Sequence, residues 1–154
     1  MNTQAKAAQF ARPTTMTTIE KLQKALIRIE QSHKIALQYM NAKDPLTSGR
    51  ALVALGLLQQ AKAQVNAACQ NMGFSIDSLL VIDERANNPR AEQQRLQLKQ
   101  AKVAVVKLLV QKANLSREAV FISMQAFAEE SAIMADLMVS RANDHLKTCV
   151  KRVA

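Results

Sequence analysis

A chain of 154 residues with a net charge of +9 is long enough for one domain with a buried core, on a prior of roughly 100–200 residues per domain. Its hydrophobic content is 49% but its aromatic content only 3%, so any core must be built from Leu, Ile, Val, Met and Ala. Two cysteines far apart in sequence exclude a disulfide framework, three glycines exclude a Gly-rich phosphate loop, and the longest apolar run, Ala51–Leu58, is far shorter than the ~20 residues that span a bilayer.

Residues 1–16 read as a polar N-terminal arm. Residues 2–11 have weak helical character, and Arg12-Pro13 ends it. Met1–Arg12 lacks the apolar stretch of a secretory signal, which points to the cytoplasm or to an assembly formed there. Residues 17–154 read as a single domain.

The first firm helix starts at Thr17. Its hydroxyl can accept from the backbone three residues on, and Glu20 can return the bond, as in a capping box. Ile19, Leu22, Leu26, Ile29, His33, Ala36 and Met40 recur at alternating spacings of three and four, so they line one helical face. Residues 41–45 form a turn. Ser48 is the expected N-cap of a second helix with the seam Ala51, Ala54, Leu58, Ala61, Val65, Ala68 and Met72. Gly73 then stands where a left-handed C-cap favours glycine.

Ser75 is placed to cap a short connector helix through Ile76, Leu79, Leu80 and Ile82. Asn88, with Pro89 at the first helical position, opens a third long helix that reaches about Ala113. Its first half is polar. Its second half, residues 103–111, is apolar around most of its circumference and is expected to be the most buried stretch. Ser116 caps the last helix, with Glu118 in its first turn. No breaker follows before about Arg152. The expected seam includes Val120, Met124, Phe127, Met134 and Met138. The methionines beside Phe127 read as core filler, or as an adaptable groove for a partner helix.

The pattern predicts an all-α fold, a bundle of four long antiparallel helices with a short connector helix. At 1.5 Å per residue the first three helices are ~36–39 Å long and the last ~54 Å. The end of the last helix should therefore overhang. Leu146, Cys149, Val150 and Val153 keep an apolar stripe there, and an uncovered stripe is disfavoured in a monomer. These four residues are the candidate partner interface. The competing reading is that residues 2–11 fold back over the stripe, or that the end frays.

Few residues suggest chemistry, which needs convergent polar groups in a pocket. His33 falls in the first seam and reads as a core or boundary histidine. His145 and Cys149 stand four apart, a spacing that can chelate a metal, but His33 and Cys69 would fall about 20 Å apart in an up-down bundle. Nothing orients His145 as a base for Cys149. The pairs Asp83-Glu84 and Glu129-Glu130 are sequence neighbours that point apart on a helix. The expectation is no enzyme: no catalytic residue, no cofactor and no metal.

Charge is the stronger partner signal. Residues 1–48 carry seven basic and three acidic side chains and residues 89–116 six and one, so the first and third segments hold the whole surplus. Lys21, Lys24 and Arg28 share one helical face, and Arg95, Lys99 and Lys102 share another. If the two helices are neighbours, the patches merge into a groove for a phosphate backbone. Aromatic interleaving for stacking on bases is missing, so such binding would lack strong sequence specificity.

The leading reading is a non-catalytic helical-bundle structural or interaction protein. It would form a homo-oligomer or dock into a larger assembly, of viral or secretion type. The alternative is a basic helical protein that binds nucleic-acid backbone.

Overall fold

A computed structural model describes residues 16–153 of the chain, apart from the side chains of Ala113 and Val153. Of the N-terminal arm only Met16 falls among the described residues; the weak helix expected over 2–11 lies outside them. Helix α1 spans Thr18–Tyr39, α2 Pro45–Asn71, a 3-10 helix Ile76–Val81, α3 Pro89–Ala113 and α4 Arg117–Val153. The fold is an all-α bundle of four long helices with a short connector, and no strand occurs among the described residues.

Local chemistry sets most of the boundaries. Thr17 Oγ1 accepts from Glu20 N at 3.1 Å, but the Glu20 carboxylate accepts from Arg85 Nε at 2.6 Å instead of returning to Thr17 N, so only the first half of the expected capping box forms. Asn88 Oδ1 accepts from Ala91 N at 2.9 Å with Pro89 following it, and Ser116 Oγ accepts from Ala119 N. The N-cap of α2 is Asp44 rather than Ser48. Pro45 has its φ preset for the first helical turn and no N–H to satisfy, so the helix begins one turn earlier than expected. The Asp44 carboxylate accepts from Leu46 N and Thr47 Oγ1, while Ser48 Oγ donates to Met40 O. Ser75 precedes the 3-10 helix but forms no side-chain cap; its hydroxyl meets that of Ser78.

Gly73 ends α2 as expected, at φ +90°. Phe74 N donates to Cys69 O and Gly73 N to Gln70 O, the paired bonds of a Schellman motif. A Cβ at Gly73 would lie 2.9 Å from Ala101 O of α3, so the turn is also the place where α3 crosses closely.

The main core joins α1, α2 and α4. It holds Leu22, Leu26 and Ile29 of α1, Leu58, Ala61 and Val65 of α2, and Ala128, Ala135, Val139 and Leu146 of α4. The connector seals one end through Leu79 and Ile82. Gln23 Nε2 donates to the carbonyls of both, at 2.8 and 2.7 Å, and ties the connector to α1.

The seams differ from the sequence pattern in two places. His33 is exposed, and Ser32 is buried in its stead, its hydroxyl donating to Asn143 Oδ1 at 2.7 Å. The buried positions Leu22, Ala25, Ile29, Ser32 and Ala36 keep the alternating spacing of three and four but take Ala25 and Ser32 where the sequence pattern takes Leu26 and His33, and Ile19 and Leu26 widen the stripe. On α4 the buried seam is Val120, Met124, Ala128, Ala132, Ala135, Val139, Ala142, Leu146 and Cys149, while Phe127 and Met134 are exposed. The facing side of α2 is also alanine-rich, through Ala54, Ala61 and Ala68. Two alanine faces let the helix backbones come close, and large side chains are left at the flanks.

The long α4 overhangs at its start, not at its end. The first turns of α2 run beside the last turns of α4, where Cys149 Sγ donates to Thr47 O and Arg152 pairs with Asp44. The unmatched length lies near residue 117. Only α3 accompanies it there, through a small separate cluster of Val106, Val120 and Met124. Residues 103–111 are therefore not the most buried stretch. Val106 alone is fully buried, and Leu108 remains 53% exposed. One neighbouring helix covers only one side of α3, whatever the apolarity of the others.

Candidate functional site

Three regions hold the residues singled out by sequence. The first is an open cleft of about 530 Å3 between the start of α1, α3 and α4. The N-terminal turn of α1 brings Thr17 and Thr18 to it. Successive turns of α3 bring Arg95, Lys99 and Lys102, and α4 brings Glu129. Ile19, Leu98 and Met124 supply part of its apolar lining.

The cations of this cleft are largely engaged. Arg95 Nη1 donates to the carbonyls of Glu84 and Ala86, at 3.0 and 2.8 Å, and so holds the loop ahead of α3. Lys102 Nζ lies 5.4 Å from the centre of the Phe121 ring, within cation–π range. Two carboxylates, Glu84 and Glu129, share the cleft; Thr17 Oγ1 donates to Glu84 at 2.5 Å. On α1, Lys21 pairs with Glu129 at 3.5 Å and Arg28 with Asp136 at 2.8 Å, while Lys24 is exposed. The structure thus gathers Arg95, Lys99 and Lys102 on one wall and joins Lys21 and Arg28 to acids of α4. Glu84 and Glu129 sit where a continuous basic groove would need cations.

The second region is the C-terminal stripe. Leu146 and Cys149 are buried inside the chain's own bundle, Val150 is 47% exposed, and the side chain of Val153 is outside the described set. The end of α4 is held by Arg152, whose guanidinium donates to Asp44 Oδ2 at 2.7 Å. Arg152 and Thr47 beside it pull the Asp44 carboxyl down to about 2. His145 meets Arg50, with Nδ1 3.4 Å from Nη1. Cys69 is also buried, and loss of solvation pushes its thiol up to about 11. Among the described residues no three His, Cys, Asp or Glu side chains converge on a point that could hold a metal ion. No helix among them is long and apolar enough to cross a membrane.

The third region is the outward face of α4, of which sequence reasoning singled out only Met134, as core filler or part of a partner groove. Ile122, Ile133, Met134 and Leu137 lie there, all exposed. The side of α4 that meets α2 takes the alanines, and α3 reaches only the first part of the helix. The signal was present in the sequence as a second apolar spacing, Ile122, Ala126, Ile133 and Leu137, offset from the buried seam. Comparison with known protein families, curated proteins and solved structures finds no match to this chain.

Proposed function

We propose that this chain is a non-catalytic helical-bundle protein that works by self-association, alone or as a subunit of a larger assembly. The observation that carries the reading is the outward face of α4, where Ile122 is 71% and Ile133 61% exposed on a helix otherwise packed into the bundle. Scattered apolar residues are ordinary on a protein surface, but a run of them along one helix marks a contact face. The uncovered side of the α3–α4 end, with Leu108 and Leu115 exposed, adds to it.

Light scattering after nuclease treatment, at low and at high salt, tests this reading. Apolar contacts are little screened by salt, so a defined oligomer is expected at both. A monomer at both would sink it.

A second reading, binding of a nucleic-acid backbone, draws on the wall formed by Arg95, Lys99 and Lys102. It requires an affinity that falls steeply with salt and weakens on Lys99→Glu and Lys102→Glu. Binding that ignores both changes would remove it.

A further inference from the structure

The outward face of α4 has a symmetry that names its occupant. Glu130, Met134, Leu137 and Arg141 follow one another at spacings of four, three and four. At 3.6 residues per turn they fall within an arc of ~60° on the helix. All four are exposed, and among the described residues neither Glu130 nor Arg141 makes an ion pair or a side-chain hydrogen bond. This contrasts with the neighbouring acids of α4: Glu129 pairs with Lys21, and Asp136 with Arg28.

The order acid, apolar, apolar, base reads in reverse as base, apolar, apolar, acid. A second α4 laid antiparallel on the first, about a two-fold axis passing between residues 135 and 136, would therefore set Glu130 against Arg141 at both ends. Met134 would face Leu137 twice in the middle. A two-fold contact requires this kind of self-complementary patch. The opposite, parallel arrangement would bring like charges together.

We propose that α4 is the homodimer contact of this protein, and that a second copy binds antiparallel on the outward face through Glu130–Arg141 pairs flanking Met134 and Leu137. This rests on the self-association reading and deepens it by naming the surface and the symmetry. Met134 at 41% and Leu137 at 51% exposure form the centre, and Ile133 lies along its edge. With Phe127 and the stems of the two charged residues this centre makes a small face, at the low end for a biological contact, which needs ~1,000 Å2 in total. A contact at that lower bound forms a dimer that dissociates on dilution.

The test uses the full chain and measures mass by sedimentation over a concentration series. Wild type is expected to be a concentration-dependent dimer. Glu130→Arg alone sets Arg against Arg, and Arg141→Glu alone sets Glu against Glu; each should raise the dimer dissociation constant by about tenfold or more. An equimolar mixture of the two single variants restores both attractive pairs, so it should form a heterodimer that neither variant forms by itself. The double variant should dimerise again. Leu137→Glu should leave a monomer with unchanged helix content by circular dichroism.

Wild type that stays monomeric at every concentration overturns this proposal together with the self-association reading. Wild type that self-associates while neither single variant weakens it, or a mixture no tighter than its components, overturns the α4 contact alone and leaves self-association to another surface.

Discussion

The two ends of α4 sit in unlike surroundings. Over residues 128–149 the helix lies between α1 and α2, and alanines fill its inner face. Over residues 117–124 it has one companion, α3, and a cluster of three buried side chains, Val106, Val120 and Met124. That companion is rich in valine and leucine over residues 103–111, yet of these only Val106 is buried. Burial thus depends on how many neighbours a helix has, and on how close they come, more than on how apolar its own sequence is. An alanine seam between three helices makes a core; an all-round apolar helix beside one partner leaves most of its surface outside.

Substitutions of one size should separate the two regions most sharply. Leu22 is fully buried in the three-helix core, so Leu22→Ala should cost ~2–5 kcal/mol in chemical denaturation. Leu108 is half exposed on α3, and Leu108→Ala should cost under ~0.5 kcal/mol in the monomer. Equal losses would mean that the α3–α4 end is covered like the rest.

A smaller effect is expected at the joint between the regions. Gly73→Ala meets both a backbone at φ +90° and the Ala101 carbonyl 2.9 Å from the new Cβ. It should destabilise by about 1–3 kcal/mol, since the residue cannot adopt the native turn without strain. A neutral result would show that α3 does not cross there. Loss of the cap in Asn88→Ala should cost ~1 kcal/mol, with α3 fraying from its start in amide exchange. Unchanged exchange over residues 89–93 would argue against that cap.

The smallest effect concerns the sealed end. Asp44 has a carboxyl lowered from 3.8 to about 2 by Arg152 and Thr47, so its folded state favours the ionised form. Its contribution is present above the unfolded value and is lost as pH falls through about 2. A carbon-detected titration should find the Asp44 carboxyl still ionised at pH 3, and Arg152→Ala should return it toward 3.8. A normal titration in the wild type would mean that the end of α4 is not held by this pair.

Much of the fold was legible because its signals are local. Thr17, Asn88, Gly73 and Ser116 each act within a few residues of their own position, and each does what its place in the sequence suggests. Asp44, not Ser48, caps α2 because Pro45 follows it, which shows how strongly proline at the first turn fixes a boundary. Packing was less legible. Which face of α4 turns inward depends on the alanines of α2 opposite it, and no reading of α4 alone contains that information. The same holds for the C-terminal stripe. Length arithmetic placed the overhang at residue 146 and beyond, but the overhang follows from which ends are aligned, and Thr47 beside Cys149 aligns the other pair. The spacing of Lys21 and Arg28 says nothing of Glu129 and Asp136, the acids that meet them, because these come from a different helix.

Hydrogen exchange along α4, followed at protein concentrations low enough to keep the chain monomeric, tests the contrast between its two ends directly. Slow exchange is expected over residues 128–149, close to the global stability, and fast exchange over residues 117–124, where one helix and a small cluster hold it. Uniform protection from residue 117 to residue 149 would contradict it, because α4 would then lie in a single cooperative core along its whole length.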